Sequence, residues 1–501
     1  MTTEAGTRPG PETETETHDL LVLGGGTGNI VAAEAAEAGL DVALVEKGPL
    51  GGTCLNRGCN PSKQLIHRAD LVEAVEAAGE LGVDASVEGV DFADITRTVT
   101  EDVTEVAERK AEEARERESL TLYRGEGRFV DERAVAVELD EATETEGHRR
   151  DAGESVRVAA DRVVLAGGSR PVVPDVDGLD EVDYLTSDDA LRLEARPDRL
   201  VVVGGGYIAA EMGHFYAAMG TEVVVVGHGD HLLPREDEAV SEFFTDAFAD
   251  GENREVHTGY RVEAVEASDG DSDGDDRTVT AHAESDDGDE LAVDGDALLL
   301  AVGRRPNTDA DGWAVDAASI ETDDDGFVMV DERLRTSVDG VWAIGDVADN
   351  YNFKHSGDKE AAYAVKNAVH GEGAKVEFPG MAHAVFGSPQ VGSLGRTASE
   401  LDEDGVEYEV GRAEYSGHPL GKLLQPEGGF VKALVGADEE VLGCHVVGPE
   451  GSTLIHEVNT AVASGGDARD VAETIHVHPA LSELVQSAFR DALGDVGVSG
   501  L

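Results

Sequence analysis

Two of the chain's three cysteines, Cys54 and Cys59, stand with four residues between them in the segment Gly51-Gly52-Thr53-Cys54-Leu55-Asn56-Arg57-Gly58-Cys59-Asn60-Pro61-Ser62-Lys63. A pair at that spacing can close a small disulfide on the first turn of a helix, and Pro61 just after the second cysteine is a helix-start signal. Exposed N–H groups and the helix dipole lower a thiol pKa there, which makes a dithiol reactive at neutral pH. The alternatives are a metal half-site or two buried thiols. A structural zinc site takes four Cys or His ligands, typically as two close pairs. The only other cysteine, Cys444, lies far along the chain in an apolar run that reads as a buried strand and an inert core thiol.

The elements that must position such a pair are legible on either side of it. Asp19–Leu23 reads as a buried strand running into Gly24-Gly25-Gly26-Thr27-Gly28-Asn29, then an alanine-rich helix to Gly39 and a strand Asp41–Val45 ending on Glu46. This is a dinucleotide fingerprint: Gly24, Gly26 and Gly28 let the backbone approach a pyrophosphate at a helix N-terminus, and Glu46 binds a ribose hydroxyl. Asn29 stands where the third glycine is expected, which bears on how closely helix packs on strand. The pattern returns 180 residues later as Leu200–Val203 followed by Gly204-Gly205-Gly206-Tyr207-Ile208-Ala209-Ala210-Glu211. Two Rossmann-like units, and so two nucleotides, are expected.

The two units differ at one telling position. Seven residues after Gly39 stands Glu46, whereas seven after Gly220 stands Gly227. The acid that would bind the adenosine ribose of NAD is missing, and with it the group that would repel a 2′-phosphate; His228 and Arg235 are the nearby candidate cations. This leans toward NADP over NAD.

The balance of 105 acidic against 39 basic residues, a formal charge of −66, repels nucleic acid and anionic membranes and argues against either as a partner. It reads as a surface suited to concentrated salt, where the Debye length is roughly 3 Å at 1 M, and hence as a halophilic cytoplasmic protein. Three cysteines in 501 residues exclude a disulfide framework. Residues 1–17 read as a polar, disordered tail without the apolar core of a signal peptide. No run of 18 or more apolar residues occurs. Residues 94–120 read as a charged, solvated helix, 140–153 as an acidic hairpin tip, and 268–290 as a solvated hairpin loop.

The cysteine segment, taken whole, resembles the redox-active disulfide segment of the class I pyridine nucleotide-disulfide oxidoreductases, the flavoenzyme family that includes dihydrolipoyl dehydrogenase and the glutathione, mycothione and mercuric reductases. Arg162–Pro171, Leu298–Asn307 with Gly303, Val341–Asp346 and His478-Pro479-Ala480-Leu481-Ser482-Glu483 resemble further segments of that family. The resemblance implies an α/β fold with two Rossmann-like FAD- and NAD(P)-binding domains plus a C-terminal α+β dimerisation domain. Its boundaries would be 18–187 and 312–378 for the flavin domain, 188–311 for the NAD(P) domain and 379–501 for the interface domain.

It also implies roles. Electrons would pass between NAD(P)H, FAD and a Cys54–Cys59 disulfide, with Cys59 nearest the flavin and Cys54 exchanging with substrate. Lys63 would pair with Glu211 beside the flavin ring, Asp346 would bind FAD, and Lys354 and His355 would lie near the isoalloxazine. His478, oriented by Glu483, would be the acid–base group and would come from the second subunit of a homodimer. Dihydrolipoyl dehydrogenase acting on a lipoyl group is the leading expectation. Asn29, Gly227, Ala209 and His478-Pro479-Ala480 resemble the mycothione reductase branch, so an NADPH-dependent reductase of a small disulfide is the alternative. A mainly structural flavoprotein subunit of an acyl-transfer complex is the third reading, and retention of the whole reactive set speaks against it.

Overall fold

The computed structural model describes residues 15–145, 148–268, 278–348, 350–424 and 428–495. Two compact units divide them: one drawn from Met1–Asn60, Glu101–Arg170 and Arg304–Glu377, the other from Pro61–Thr100, Pro171–Gly303 and Phe378–Leu501.

In the first unit, strands Thr15–Leu23, Val42–Glu46, Leu120–Asp131, Ser155–Leu165 and Val341–Ala343 carry the parallel pairings. The far half of Leu120–Asp131 turns into an antiparallel meander with Ala134–Leu139 and Ser155–Leu165. Leu20–Leu23 and Val42–Val45 read as unbroken apolar runs because both faces of the sheet are covered there. Leu21, Leu23, Ala43 and Val45 enter one core with the meander and Trp313, while Leu20, Val22, Val42 and Leu44 enter another with Val31, Ala32 and Ala35 of helix Gly28–Glu37. Each fully buried Leu or Val stabilises the fold by roughly 1.5–3 kcal/mol.

Three expectations change here. The first strand starts at Thr15, so Thr15–Thr17 pair with Arg157–Ala159 instead of belonging to the tail; residues 1–14 lie outside the described residues. The close approach of helix to strand rests on Gly28, whose Cβ would stand 2.8 Å from Val22 and 3.0 Å from Ala166, while Asn29 is only half-buried. Asn29 therefore does not disturb that packing. Within 268–290, Thr278–Ser285 is a strand paired with both Tyr260–Ser268 and Glu290–Gly295, because Val279, Ala281 and Ala283 alternate into a core; residues 269–277 lie outside the described residues.

The second unit repeats the plan. A parallel sheet of Arg254–His257, Glu222–Val226, Arg199–Val203 and Ala297–Leu300 is covered on one face by the meander that holds Thr278–Ser285, and on the other by helix Tyr207–Ala218. The same unit holds a five-stranded antiparallel sheet in the order Ala382–Val385, Val391–Gly395, Val441–Val447, Phe430–Gly436, Tyr408–Glu414. Helices Gly451–Ala463, Ala468–Glu473 and Ser482–Ala492 pack on it. Cys444 is fully buried in this core, and burial pushes its thiol pKa up, so it is inert. Among the described residues no helix is long and apolar enough to cross a membrane.

Candidate active site

The cysteine segment is held against the first Gly turn. Gly51 N–H donates to Gly25 O at 2.9 Å. The segment does not form one helix: Cys54 lies on the short helix Gly52–Arg57, Gly58 leaves helical geometry, and Cys59 opens the long helix Cys59–Glu76. Asn56, buried beneath, clamps the short helix by donating from Nδ2 to Pro49 O, Leu50 O and Gly52 O at 3.0, 3.2 and 3.0 Å. Nothing in the local sequence signals that role, since all three acceptors are carbonyls.

Both cysteines are thiols in this structure. The expectation of a lowered thiol pKa fails at Cys54. Its hydrogen bond to Cys59 and its burial push the thiol up, against the opposing pull of the Lys354 ammonium, which Asp358 in turn offsets.

One turn beyond Cys59 on the same helix, Lys63 Nζ donates to both carboxylate oxygens of Glu211, at 2.7 and 2.6 Å. Phe386 N–H also donates to Glu211 Oε1 at 3.1 Å, and the ammonium lies 4.8 Å from the Phe386 ring centroid. The pair expected from sequence is formed, and Phe386 is an addition to it.

His478 sits on the exposed link between helices Ala468–Glu473 and Ser482–Ala492. Its Nδ1 lies 3.0 Å from Glu483 Oε1 and 3.2 Å from Oε2, and Ala480 N–H donates to Oε2 at 3.0 Å. Burial alone would raise the Glu483 pKa, but these donors and His418 bring it down to about 2. An ionised carboxylate on Nδ1 leaves Nε2 as the imidazole nitrogen turned to other partners.

The cradles for two nucleotides have matching backbones. Gly24 has φ +99° and a Cβ there would stand 2.2 Å from Ala166 O; Gly204 has φ +118° and a Cβ 2.4 Å from Ala301 O. Glu46 accepts Gly25 N–H at 2.6 Å and Gly48 N–H at 2.7 Å. A carboxylate has about four lone-pair directions, so Glu46 keeps acceptors for ribose hydroxyls, and this Gly turn fits FAD. Gly206 has no atom within 4 Å of its Cβ position, space that fits a pyrophosphate. Ala209 is fully buried beneath that turn.

Asp346 follows strand Val341–Ala343 and accepts from Ser169 Oγ at 2.6 Å. Arg304 holds Ser169 in turn, through its hydroxyl and its carbonyl, both at 2.9 Å. Gly345 N–H donates to the buried Glu360 at 2.6 Å. Ser169 and Arg304 lie in segments that resemble the family, but the sequence assigns no role to them or to Glu360, because each acts on a residue more than ten positions away. Gly303 is at φ +115° and its carbonyl accepts Val172 N–H at 3.0 Å. Lys354 pairs with Asp358, and the His355 ring stacks on Phe353. His228 and Arg235 are both exposed.

A family model described as pyridine nucleotide-disulphide oxidoreductase matches residues 18–377, and one for the dimerisation domain of the same family matches residues 381–489. The chain belongs to this family. It is a flavin-dependent disulfide oxidoreductase with FAD-binding and dimerisation domains, as the cysteine segment implied. Dihydrolipoyl dehydrogenase of Haloferax volcanii is 36% identical over 484 residues, covering 95% of this chain and 96% of that one. Dihydrolipoyl dehydrogenase 3 of Haloarcula marismortui is 33% identical over 485 residues, covering 95% and 97%. The Cu(II) complex of the HOCl-induced flavoprotein disulfide reductase RclA from Escherichia coli shares the fold with a TM-score of 0.79 at 23% identity, over 95% of this chain and 99% of that one.

Proposed function

We propose that the protein is a dihydrolipoyl dehydrogenase: it oxidises the dithiol of a dihydrolipoyl group to the cyclic disulfide and delivers the two electrons to NAD(P)+. The observation that carries this reading is the intact reactive set, Cys54, Cys59, Lys63–Glu211 and His478–Glu483, in a chain matched nearly end to end by dihydrolipoyl dehydrogenases. The proposed flavin domain spans 18–187 and 312–378, the NAD(P) domain 188–311 and the interface domain 379–501.

The chain's own groups account for the thiol chemistry. His478 Nε2 takes the proton from one substrate thiol, and the thiolate attacks Cys54 Sγ of the oxidised pair, breaking the Cys54–Cys59 bond and leaving Cys59 as thiolate. The second substrate sulfur then attacks the first, closes the lipoyl disulfide and expels Cys54, which takes a proton. Glu483 holds the imidazole in the required tautomer throughout. Gly24, Gly26, Glu46 and Asp346 would hold FAD, and Gly204 and Gly206 would hold the pyrophosphate of the nicotinamide nucleotide; the bound flavin would supply the two-electron link between the reduced pair and that nucleotide. Lys63, fixed by Glu211, presents a positive charge one turn from Cys59.

His478 and Glu483 serve the cysteine pair of a second copy of the chain. Ile475 and Val477, 96% and 75% exposed in the single chain, precede His478 and offer the apolar surface that such a dimer would cover. The second reading, an NADPH-dependent reductase of a small disulfide, is favoured by Gly227, with Asn29, Ala209 and His478-Pro479-Ala480 beside it. Initial rates in molar KCl separate the two. Fast turnover of lipoamide or dihydrolipoamide establishes the first; turnover confined to NADPH and bis-γ-glutamylcystine overturns it.

A further inference from the structure

His418 stands at the end of the turn Tyr415–Gly417 and immediately before Pro419, which opens helix Pro419–Leu424. The following proline excludes helical backbone, and His418 is extended at φ −111°, ψ 137°. From there its Nε2 reaches Glu483 Oε2 at 2.9 Å, with side-chain exposures of 11% for His418 and 22% for Glu483. Glu483 is thus gripped by two histidines, His478 mainly at Oε1 and His418 at Oε2, with Ala480 N–H completing the set.

The second nitrogen of His418 decides its tautomer. Nδ1 is buried and has no partner among the described residues. A proton there would be a buried donor without an acceptor, which burial penalises. The proton therefore sits on Nε2, and the ring donates to Glu483.

We propose that His418 is a positioning residue for the acid–base pair: its Nε2–H fixes the Glu483 carboxylate in the orientation from which Glu483 holds His478. The proposal rests on the reading of His478 as the acid–base group. With His418 gone, Glu483 keeps His478 and Ala480 as donors, can rotate about its last torsion, and concentrates more of its charge on the His478 imidazole. Other ionisable groups nearby are tied elsewhere. His476 Nε2 bonds Glu457 at 2.8 Å, Arg412 Nε bonds Glu414 at 2.6 Å, and toward the far end of helix Ser482–Ala492 Asp491 accepts the Arg412 backbone N–H while Arg490 bonds Ala472 O.

The test compares His418→Leu, which deletes the donor, with His418→Gln, whose side-chain nitrogen can donate from nearly the same place. Histidines of the FAD-loaded dimer are labelled at Cε1 with 13C and titrated by NMR in molar KCl, the His478 signal being identified by its loss in His478→Gln. In His418→Leu the His478 titration is expected to move up by about 0.5–1 pH unit, and kcat with dihydrolipoamide to fall by about fivefold. The KM for nucleotide should hold, and His418→Gln should restore both values. An unmoved His478 titration in His418→Leu, or no rescue by His418→Gln, overturns the proposal. Near-normal turnover by His478→Gln would instead sink the acid–base reading, and the titration would still decide whether His418 governs Glu483.

Discussion

Gly24 and Gly204 occupy the same place in two sheets, share a positive φ, and press against the carbonyls of Ala166 and Ala301. Each opens a helix that covers one face of its sheet while a meander covers the other. The units part at the end of the second strand. Glu46 closes the first by accepting Gly25 and Gly48 N–H, whereas Gly227 closes the second with its would-be Cβ 3.6 Å from Gly205 Cα. The shared part is backbone geometry, which makes a pyrophosphate cradle of either. The differing part is one side chain, and it bears on which ribose each cradle accepts. The cradle and the choice of nucleotide are therefore separable, and substitutions can part them.

Gly24→Ala should have the largest effect, since it combines a strained φ with overlap against a backbone oxygen that has nowhere to go. Flavin content per chain, read from the absorbance ratio of purified protein, should fall roughly tenfold or more, which is about 1.4 kcal/mol or more of binding. Gly204→Ala meets the same obstacle in the other unit and should retain flavin while the KM for nucleotide rises about tenfold. Loss of flavin in both variants would mean that the two cradles are not independent.

Buried carboxylates sharpen the contrast. In the second unit, burial would raise the Glu236 pKa, but hydrogen bonds from His383, Ser393 and Tyr207 lower it from 4.5 to about 2. A depressed folded value means stability fully present above the unfolded value near 4.5 and lost as pH falls toward 2. Glu236→Gln should cost about 3 kcal/mol at pH 7 and progressively less below pH 4.5, measured by urea unfolding in molar KCl. In the first unit the sign reverses: burial raises the Glu360 pKa despite its bonds from Gly345 and Asn350.

Gly227→Glu is a gentler change, because the would-be Cβ meets only ordinary van der Waals contact. It should shift the ratio of kcat/KM for NADH over NADPH upward by about tenfold. An unchanged ratio would remove Gly227 from the account of nucleotide choice. The smallest effect is expected from Glu360→Gln, which should be better tolerated as pH rises, because burial disfavours the charge that the substitution removes and that charge grows with pH.

Much of the site is legible in the amino-acid sequence because its signals are local. Gly24, Gly26 and Glu46, the Cys54–Cys59 spacing, Lys63 one turn later, and His478 five residues before Glu483 are each set within a turn, a helix or a short link. What the sequence conceals is what the fold assembles at long range. Asn56 acts through carbonyls that leave no trace in residue type, Ser169 meets Asp346 across 177 positions, and His418 meets Glu483 across 65. The strand Thr278–Ser285 is hidden for a related reason: its polar flanks outweigh an alternation of small apolar residues whose burial depends on the sheet beside it.

Residue types and their spacing suffice to specify the two nucleotide units, the reactive pair and the family, because glycine, cysteine and proline constrain the backbone or the chemistry wherever they stand. The state of those groups is set by folding. The folded chain pushes the Cys54 thiol pKa up through Cys59 and burial, keeps Glu483 ionised through three donors from two loops, and lets Gly28 carry the packing that Asn29 had put in question. A pKa and a packing contact depend on burial and on partners brought from elsewhere in the chain, and those come together only when the chain has folded.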